Sequence, residues 1–492
     1  MTKQLDWAAL QREAARRFGV RRFRPGQREL MEAALRGRDA LGMLPTGGGK
    51  SLTYQIPALF LPRAVVVVSP LLSLMQDQQE KAQAARIEVA KLDSTLSTAE
   101  ERGAVEEIAS GANDLIYVTP ERLENPEHVA PLRERGVSLL VVDEAHCVSQ
   151  WGHDFRPAYL ALADAVRALG RPPILALTAT ATPEVVEDIV RQLGMKDVEI
   201  VHTGVDRPNL FVEVRRTVNR AMKEQALLEA LRREEGSGIV YCATVRKVDE
   251  LYRWLRAQGV EVGRYHGQLA AAEREEMQRR FMTDELRIVV ATNAFGLGID
   301  KPDIRFVVHW NFPGSVEAWY QEAGRAGRDG KPARVTLLYR LEDKRIQSYF
   351  LGGKYPSREE SQQVFRAIGS AKSAKAIAEA TELGEKRVKI IVAQLVGAGV
   401  VERRGRSLVK TADLDAEALA RMLSAWEERQ TGDRERLETM MRFAQSALCR
   451  RRLLREYFGE ERGEDCGNCD NCRSGLTRLA SERPLREDAA PQ

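Results

Sequence analysis

The chain carries the glycine-rich stretch Pro45-Thr46-Gly47-Gly48-Gly49-Lys50-Ser51 between a short apolar segment, Asp39 to Leu44, and a segment that can open a helix. Glycines let the backbone take positive φ and turn its N–H groups inward, and the helix N-terminus adds partial positive charge. In such a loop Lys50 reaches the terminal phosphates of a nucleotide and the Ser51 hydroxyl ligates magnesium. The strict pattern begins with glycine where this chain has Leu44, so a flexible turn stays the alternative for this stretch taken alone.

An acidic pair follows a later apolar run. Apolar runs at residues 64–68, 114–118, 139–142 and 174–177 alternate with helical patterns, which predicts a parallel sheet with helices on both faces. Reactive side chains are then expected at the carboxyl ends of the strands, where Asp143 and Glu144 stand. Asp143 can hold magnesium through water, and Glu144 can orient and deprotonate the water that attacks a γ-phosphate. A helix cap is the alternative, but the phosphate loop in the same sheet favours the nucleotide interpretation.

A second α/β array begins near Gly238, with apolar runs at 238–241, 287–291, 306–309 and 335–339 and no phosphate loop of its own. It carries Arg325 and Arg328, three residues apart, so both guanidinium groups can point into one cleft and stabilise charge on a transferring phosphoryl group. A solvated basic turn is the alternative. An ATP site divided between two lobes is the arrangement of a motor, because the nucleotide state then sets whether the lobes are closed.

From about Phe18 to Tyr349 these motifs, in unbroken order, resemble the RecQ family of superfamily-two DNA helicases. Residues 149–157, Ser-Gln-Trp-Gly-His-Asp-Phe-Arg-Pro, are similar to the aromatic-rich loop with which that family senses single-stranded DNA. Bases can stack on Trp151 or Phe155. The resemblance implies two tandem RecA-like lobes and an ATP-dependent DNA helicase that moves 3′ to 5′ on single strands and unwinds duplexes in replication, recombination or repair.

The resemblance also implies the ligand of each site residue. Nucleotide contacts, with adenine at the first two, are expected at Arg24, Gln27, Thr46, Gly47, Gly48, Gly49, Lys50, Ser51 and Asp300. Catalysis is expected from Lys50, Asp143, Glu144, Arg325 and the arginine finger, Arg328. DNA binding and coupling are expected at Ser69, Thr119, Trp151, His153, Phe155 and Arg156. Relatives usually carry an aromatic residue in place of Val20, so weaker stacking on adenine is expected.

Four of the six cysteines lie in the last tenth of the chain. Cys449, Cys466, Cys469 and Cys472 form C-x16-C-x2-C-x2-C, a pattern suited to tetrahedral zinc. Four thiolates leave no open coordination position, so the zinc is expected to be structural. This segment resembles the zinc module of the same family. Cys147 and Cys242 are expected to be small core residues.

The segment before Cys449 predicts a displaced winged helix. Most relatives place such a domain after the zinc module, whereas this chain has about a hundred extra residues before it, enough for a small domain. Helical apolar spacing is followed by a two-stranded wing pattern with a basic tip at Arg403, Arg404 and Arg406. Residues 357–411 hold eleven Lys or Arg against six Asp or Glu, which favours DNA contact there. A packing domain or a protein-docking module is the alternative.

Length and charge bound the remaining expectations. With 492 residues and a net charge of +4, about three domains and only a local nucleic-acid surface are expected. The expected domains are 1–205 and 206–350 for the two lobes, 351–412 for the winged-helix-like α+β domain, 413–475 for the helical zinc module and 476–492 for a disordered tail. No charged-then-apolar leader and no bilayer-length apolar run is present, which predicts a cytoplasmic protein without a membrane partner. For a DNA helicase, association with the nucleoid is also expected.

The expected partners are single-stranded and duplex DNA, with single-strand-binding or recombination proteins as further candidates. Two other functions stay open. The first is an RNA helicase or a translocase that remodels nucleic acid without separating strands, which strand displacement on matched DNA and RNA duplexes distinguishes. The second is a winged-helix transcription factor with vestigial ATPase lobes, against which the intact Lys50, Glu144 and Arg328 argue.

Overall fold

Two parallel sheets form the centre of the molecule. The computed structural model describes residues 5–477 except 71, 94, 150, 151, 153–155, 157, 160, 161, 297, 298, 370–372, 405, 406 and 415. The strands of the first sheet are β1 Ala40–Met43, β2 Ala64–Val68, β3 Val89–Leu92, β4 Leu115–Val118, β5 Val137–Val142, β6 Ile174–Thr178 and β7 Glu199–His202. They lie in the order β3-β4-β2-β5-β6-β1-β7, and every paired register is parallel.

Helices cover both faces of the first sheet. They are α1 Trp7–Phe18, α2 Gln27–Leu35, α3 Leu52–Ala58, α4 Leu72–Ala84, α5 Thr98–Ser110, α6 Pro126–Arg135, α7 Leu162–Ala168 and α8 Pro183–Leu193. The interior strand β2 reads Ala-Val-Val-Val-Val and is buried along its whole length. A continuous apolar run, instead of an alternating one, is what a strand needs when both of its faces are covered. Two apolar cores therefore form, one on each face.

The second lobe repeats this plan. Its strands are β8 Leu210–Arg216, β9 Ser237–Tyr241, β10 Gly263–Tyr265, β11 Ile288–Ala291, β12 Ile304–His309 and β13 Ala333–Tyr339. Their order is β10-β11-β9-β12-β13-β8, again with parallel registers. The accompanying helices are α9 Arg220–Arg233, α10 Val245–Ala257, α11 Ala271–Met282, α12 Val316–Ala323 and α13 Lys344–Lys354. The predicted fold class of two tandem parallel-sheet lobes is confirmed.

Three helices and a hairpin follow the second lobe. They are α14 Arg358–Ala367, α15 Ala374–Thr381, α16 Glu385–Gly397 and the antiparallel pair β14 Val401–Arg404 and β15 Ser407–Lys410. Val364, Ile377 and Leu395 from the three helices pack with Leu408 of the hairpin in one core. Helices joined to a two-stranded wing in this way form a winged-helix-like unit.

One long helix, α17 Ala416–Gln445, connects this unit to the rest of the molecule. Thirty residues of α-helix extend about 45 Å. Its first half places Leu419 and Trp426 in the winged-helix core, and its second half places Leu437 and Met440 in the core of the second lobe. The helix thus belongs to two cores at once. The expected domain bounds stay predictions.

The cysteine-containing segment ends the described chain with α18 Arg450–Tyr457 and α19 Asp470–Arg473. It docks on the edge strand of the second sheet, where Val212 forms a parallel bridge with Cys469 and the Val214 N–H donates to Asp470 Oδ2 at 2.8 Å. Residues 478–492, most of the predicted disordered tail, lie outside the described residues. Among the helices that are described, none has both the length and the apolar character to cross a membrane.

Candidate active site

The phosphate loop lies between β1 and α3, at the carboxyl end of its strand. Gly47 and Gly49 take φ values of +80° and +79°, which glycine adopts at little cost. Gln27 Nε2 donates to the carbonyl oxygens of Gly48 at 3.2 Å and Gly49 at 2.9 Å, and Arg24 Nη1 donates to that of Gly47. Arg24 and Gln27, the residues expected to bind adenine, therefore hydrogen-bond to the backbone of the phosphate loop. Their contact with the base stays a prediction.

The acidic pair stands at the end of β5, two strands away from β1 in the sheet. Burial and the neighbouring charge of Glu144 raise the pKa of Asp143 to about 6, while Lys50 opposes the rise. Glu144 takes φ +48°, and its N–H donates to Asp143 Oδ1 at 2.9 Å. His146 Nδ1 lies 3.4 Å from Glu144 Oε2 and 3.0 Å from Thr178 Oγ1. The backbone thus takes a left-handed conformation at Glu144, and the carboxylates of Asp143 and Glu144 contact different groups.

The second lobe brings two arginines to the phosphate loop. A Cβ added to Gly47 would lie 3.2 Å from Arg328 Cγ, so the glycine permits this close approach of the two lobes. Arg328 Nη1 donates to Asp300 Oδ1 at 2.6 Å, and Lys81 of α4 contacts the other Asp300 oxygen from the first lobe. Arg325 packs its guanidinium on Gly296, where a Cβ would lie 2.5 Å from Nη2. The charged groups of both lobes therefore meet across one boundary.

These side chains line a single cleft of about 500 Å³. Of the expected nucleotide and catalytic residues, the cleft is lined by Arg24, Gln27, Thr46, Gly47, Gly49, Lys50, Ser51, Asp143, Glu144, Asp300, Arg325 and Arg328. Gly48 lies within the same loop with its carbonyl bound to Gln27. A cleft that joins a phosphate loop, two carboxylates and two arginines has the groups needed to bind and hydrolyse a nucleoside triphosphate.

The expected DNA contacts are placed in part. Ser69 and Thr119 follow β2 and β4, are each 3% exposed, and have hydroxyl oxygens without a hydrogen-bond partner among the described residues. Arg156 Nη1 donates to the Pro70 carbonyl at 2.9 Å. Trp151, His153, Phe155 and Arg406 lie outside the described residues. Arg403 and Arg404 belong to β14, and Arg404 pairs in register with Ser407.

The four cysteines expected to bind metal converge. Their Sγ atoms all lie within 4.8 Å of one another, and those of Cys466 and Cys472 are 3.9 Å apart. A zinc tetrahedron with Zn–S bonds of about 2.3 Å requires sulfur separations of about 3.8 Å. The N–H groups of Cys466 and Asn468 donate to the sulfurs of Cys449 and Cys466 at 3.2 and 3.3 Å. The set fits a structural zinc ion, with backbone donors that stabilise thiolate charge.

Sequence reasoning missed several groups at the cleft. Lys81 binds Asp300 across the lobe boundary, and Arg207 contacts the phosphate loop from the segment between the lobes. Gln321 Nε2 of the second lobe donates to Thr180 Oγ1 of the first at 3.4 Å. His146 belongs to the Asp-Glu-Ala-His run, which was the one available signal. A lysine on a helix and an arginine in a turn have no pattern that reveals such contacts.

Family models match three parts of the chain. Residues 24–189 match the DEAD/DEAH box helicase family, residues 222–330 the helicase conserved C-terminal domain, and residues 414–473 the RecQ zinc-binding family. The fold and cleft thus define a helicase of the class that closes two RecA-like lobes on a nucleotide. These matches and the cysteine cluster confirm the expected cofactors, ATP with Mg²⁺ and structural Zn²⁺.

Two proteins of Bacillus subtilis (strain 168) identify the family. The ATP-dependent DNA helicase RecQ is 37% identical over 457 residues, which cover 92% of this chain and 65% of that protein. The probable ATP-dependent DNA helicase RecS is 35% identical over 479 residues, which cover 96% of this chain and 94% of that protein. The chain belongs to the RecQ family of ATP-dependent DNA helicases.

A solved structure agrees with the fold. The Mycobacterium smegmatis helicase Lhr, bound to single-stranded DNA and AMP-PNP, superposes with a TM-score of 0.56 at 22% identity over 85% of this chain and 62% of that one. Identity this low supports the architecture and leaves the role of each residue to the local geometry. The expected family and fold class are confirmed, and the roles of individual site residues stay predictions.

Proposed function

We propose that this chain is an ATP-dependent DNA helicase that moves 3′ to 5′ on single-stranded DNA and unwinds duplexes in replication, recombination or repair. The observation that carries the proposal is the cleft in which Lys50 and Glu144 of the first lobe face Arg328 of the second. Hydrolysis in such a cleft changes the contacts between the lobes, so a strand held by both lobes is displaced in each cycle. The direction of movement is taken from family membership.

Each residue of the cleft has a distinct role in this proposal. Bound ATP with Mg²⁺ supplies the phosphoanhydride bond whose hydrolysis drives the cycle. Thr46 to Gly49 would present backbone N–H groups to the phosphates, Lys50 would bind the terminal phosphates, and Ser51 and Asp143 would hold the metal. Glu144 orients the attacking water and accepts its proton, while Arg325 and Arg328 stabilise negative charge as it develops on the γ-phosphoryl group.

A chain of contacts connects this chemistry to the second lobe. His146 Nδ1 lies within reach of both Glu144 and Thr178. The Thr178 hydroxyl donates to the Thr180 carbonyl at 3.1 Å, and the Thr180 hydroxyl accepts from Gln321 of α12. A shift of Glu144 on hydrolysis therefore has a short route to the helix that precedes the two arginines. We assign coupling of hydrolysis to lobe movement to this route.

The DNA strand is assigned to the carboxyl ends of β2 and β4. Ser69 and Thr119 supply hydroxyl donors there, and phosphate oxygens are the acceptors that fix the register of a strand without reading its sequence. Arg156 joins the aromatic-rich loop to the segment after Ser69 through the Pro70 carbonyl. We assign Trp151, His153 and Phe155 to the sensing of bases, as the family resemblance implies, and Arg403, Arg404 and Arg406 to the capture of duplex DNA.

We also propose that the protein works in the cytoplasm, at the nucleoid, because its proposed substrate is DNA. Single-strand-binding and recombination proteins act on the same DNA, and we propose them as partners. The domain bounds expected from the sequence are retained in this proposal, with α17 as the element shared by the winged-helix-like unit and the second lobe.

Strand displacement tests the proposal. Matched DNA and RNA duplexes, each with a 3′ or a 5′ single-stranded tail, are mixed with the protein, ATP and Mg²⁺, and strand separation and phosphate release are measured together. The expected result is unwinding of the 3′-tailed DNA duplex, with Lys50→Ala as the inactive control. Preference for RNA, or phosphate release without strand separation, supports the rival helicase or translocase. Absence of DNA-stimulated phosphate release overturns the proposal.

A further inference from the structure

The segment between β7 and β8 carries an arginine that binds both lobes. Arg207 Nη1 donates to the carbonyl oxygens of Thr46 and Gly324, each at 3.3 Å. Its Nη2 donates to those of Ala326 and Gly327, each at 2.9 Å. Thr46 belongs to the phosphate loop of the first lobe, and the other three acceptors belong to the turn after α12 in the second. One side chain thus connects the two halves of the nucleotide cleft.

The three acceptors in the second lobe surround the two arginines of the cleft. Gly324 and Ala326 are the sequence neighbours of Arg325, and Gly327 directly precedes Arg328. Because a guanidinium is planar and presents its donors in a rigid fork, the carbonyls that it binds are held at a fixed separation. Arg207 therefore sets the distance between the phosphate loop and the backbone from which Arg325 and Arg328 project.

The backbone that carries Arg207 is itself held in place. Glu460 Oε1 accepts from the Val205 N–H at 2.6 Å, and Tyr320 Oη donates to the Val205 carbonyl at 2.6 Å. Asp206 forms an ion pair with Arg451, whose Nε lies 2.6 Å from Asp206 Oδ1. Glu460 and Arg451 lie within the zinc-binding segment, and Tyr320 lies on α12. The zinc module thus fixes the segment from which Arg207 reaches into the cleft.

We propose that Arg207 is a positioning residue for ATP hydrolysis, which sets the approach of Arg325 and Arg328 to the phosphates. The role rests on the proposed function, because it acts through these arginines and not by contact with the reacting atoms. Thr46 lies on the opposite side of the lobe boundary from Gly324, so the contact is complete only when the lobes are together. It therefore contributes to the closed arrangement in which hydrolysis occurs.

The test uses Arg207→Ala and Arg207→Lys in the full-length zinc-loaded protein. An ammonium group has no planar fork, so lysine cannot hold four carbonyls at once. For both variants we expect kcat of DNA-stimulated ATP hydrolysis to fall about 10- to 100-fold, with KM for ATP within about threefold of the native value. A small displacement of the arginines affects the transition state, whereas the phosphate loop keeps its own contacts with the ground-state nucleotide.

A double-mutant cycle separates positioning from simple stabilisation. If Arg207 acts through Arg325 and Arg328, removing Arg207 in an Arg325→Ala/Arg328→Ala background lowers kcat by less than about threefold more, because both partners of the effect are already absent. The matched control is Arg287→Ala. Arg287 also donates to three backbone carbonyls, those of Gly236, Leu231 and Glu234, but all lie within the second lobe. Its loss is expected to lower Tm without lowering kcat.

Two results overturn the proposal. One is a native kcat in Arg207→Ala, or in Arg207→Lys if the alanine variant does not fold. The other is full multiplication of the effect of removing Arg207 and the effect of removing Arg325 and Arg328 together in the combined variant. DNA-stimulated hydrolysis and unwinding by the native protein are measured in the same experiment. An inactive native protein overturns the proposed function as well, whereas an active native protein with unaffected Arg207 variants overturns only the positioning role.

Discussion

The nucleotide cleft and the zinc module are both ligand sites, but they are built in opposite ways. The zinc site takes its four sulfurs from residues 449–472, and two of them receive backbone hydrogen bonds from the same segment. The nucleotide cleft collects side chains from Val20 to Arg328 and from both lobes. A site made by one short segment is closed once that segment folds, whereas a site divided between two lobes can open and close.

The side chains of the nucleotide cleft and of the zinc module also differ in whether they can change partners. In the cleft, Arg328 and Lys81 share the carboxylate of Asp300, and these pairs can exchange for contacts with a nucleotide. In the zinc module, buried Cys449 and Cys469 have the metal as their natural partner. The zinc module is thus built within one short segment, whereas the cleft is built from groups that two separate lobes bring together. Residues 205–207 link them, because Val205 and Asp206 contact the zinc module and Arg207 contacts the cleft.

The largest expected effect follows from removal of one zinc ligand. Cys469→Ser takes a thiolate from a closed site, and metal binding energy is folding energy for so small a module. We expect loss of zinc and destabilisation of the module by about 5 kcal/mol. Elemental analysis and thermal unfolding measure both quantities, with about one zinc per native chain. Cys242→Ser, a buried cysteine elsewhere, is the control that keeps the metal. Native protein prepared without chelators and free of zinc contradicts the assignment.

The next largest expected effect concerns Glu144 and tests ATP hydrolysis without disturbing the fold. Glu144→Gln keeps the size of the side chain but removes the charge to which the proposed function assigns the proton of the attacking water, so hydrolysis is expected to fall about 10²- to 10⁴-fold. ATP binding, measured by titration, should persist, whereas Lys50→Ala should weaken it by removing the phosphate contact. Glu106→Gln on the exposed side of α5 is the matched control. Near-native hydrolysis by Glu144→Gln shows that another group orients the water.

The pH dependence of ATP hydrolysis should further distinguish the nucleotide cleft from the zinc module. Burial, then the charge of Glu144, raises the pKa of Asp143 to about 6. Below that pH the carboxyl is protonated and loses the charge to which the proposed function assigns magnesium, so at limiting Mg²⁺ the ATPase rate is expected to fall about tenfold per pH unit. More Mg²⁺ competes with the proton and should move this limb to lower pH. An acid limb that does not respond to Mg²⁺ contradicts the role of Asp143.

The raised pKa of Asp143 also makes the stability of the folded protein depend on pH. Because the folded-state pKa of Asp143 lies above its ordinary value, the protonated form favours folding of the nucleotide-free protein. This stabilisation is present at low pH and is lost as pH rises through about 6. Asp143→Asn, which stays neutral, should remove this dependence. The loss is expected between about pH 4, the ordinary carboxyl value, and about pH 6, and thermal unfolding of both proteins measures it.

The smallest expected effect concerns the wing. If Arg403, Arg404 and Arg406 bind phosphates of duplex DNA, replacing all three with alanine should make the slope of log K against log salt shallower. The change is about 0.9 for each phosphate that the variant no longer neutralises. ATP hydrolysis stimulated by short single strands should barely change, because the proposed function assigns that strand to the two lobes and not to the wing. The charge control replaces Arg133, Arg232 and Arg256, exposed near the C-terminal ends of α6, α9 and α10. An unchanged slope in the wing variant favours a protein-docking surface.

Much of the fold and of the candidate sites could be predicted because the sequence patterns that indicate them lie within short segments. Apolar runs of strand length, the phosphate loop, the Asp143–Glu144 pair and the cysteine spacing each record what one short segment requires of its backbone or ligand. The period of the apolar residues and the spacing of the motif residues can be read from the sequence without knowing how the rest of the chain folds. The two sheets, the winged-helix-like unit and the convergence of the cysteines could therefore be predicted from the order of residues.

The tertiary structure alone decided the contacts between distant residues. Lys81 and Asp300 are 219 residues apart, and Arg207 lies 161 residues from Thr46. The division of α17 between two cores and the docking of the zinc module on Val205 and Asp206 are of the same kind. Such contacts depend on how whole lobes pack, and an isolated lysine or arginine carries no periodicity that reports its partner. Sequence by itself determined the parts and their chemistry, and packing decided which charged groups meet.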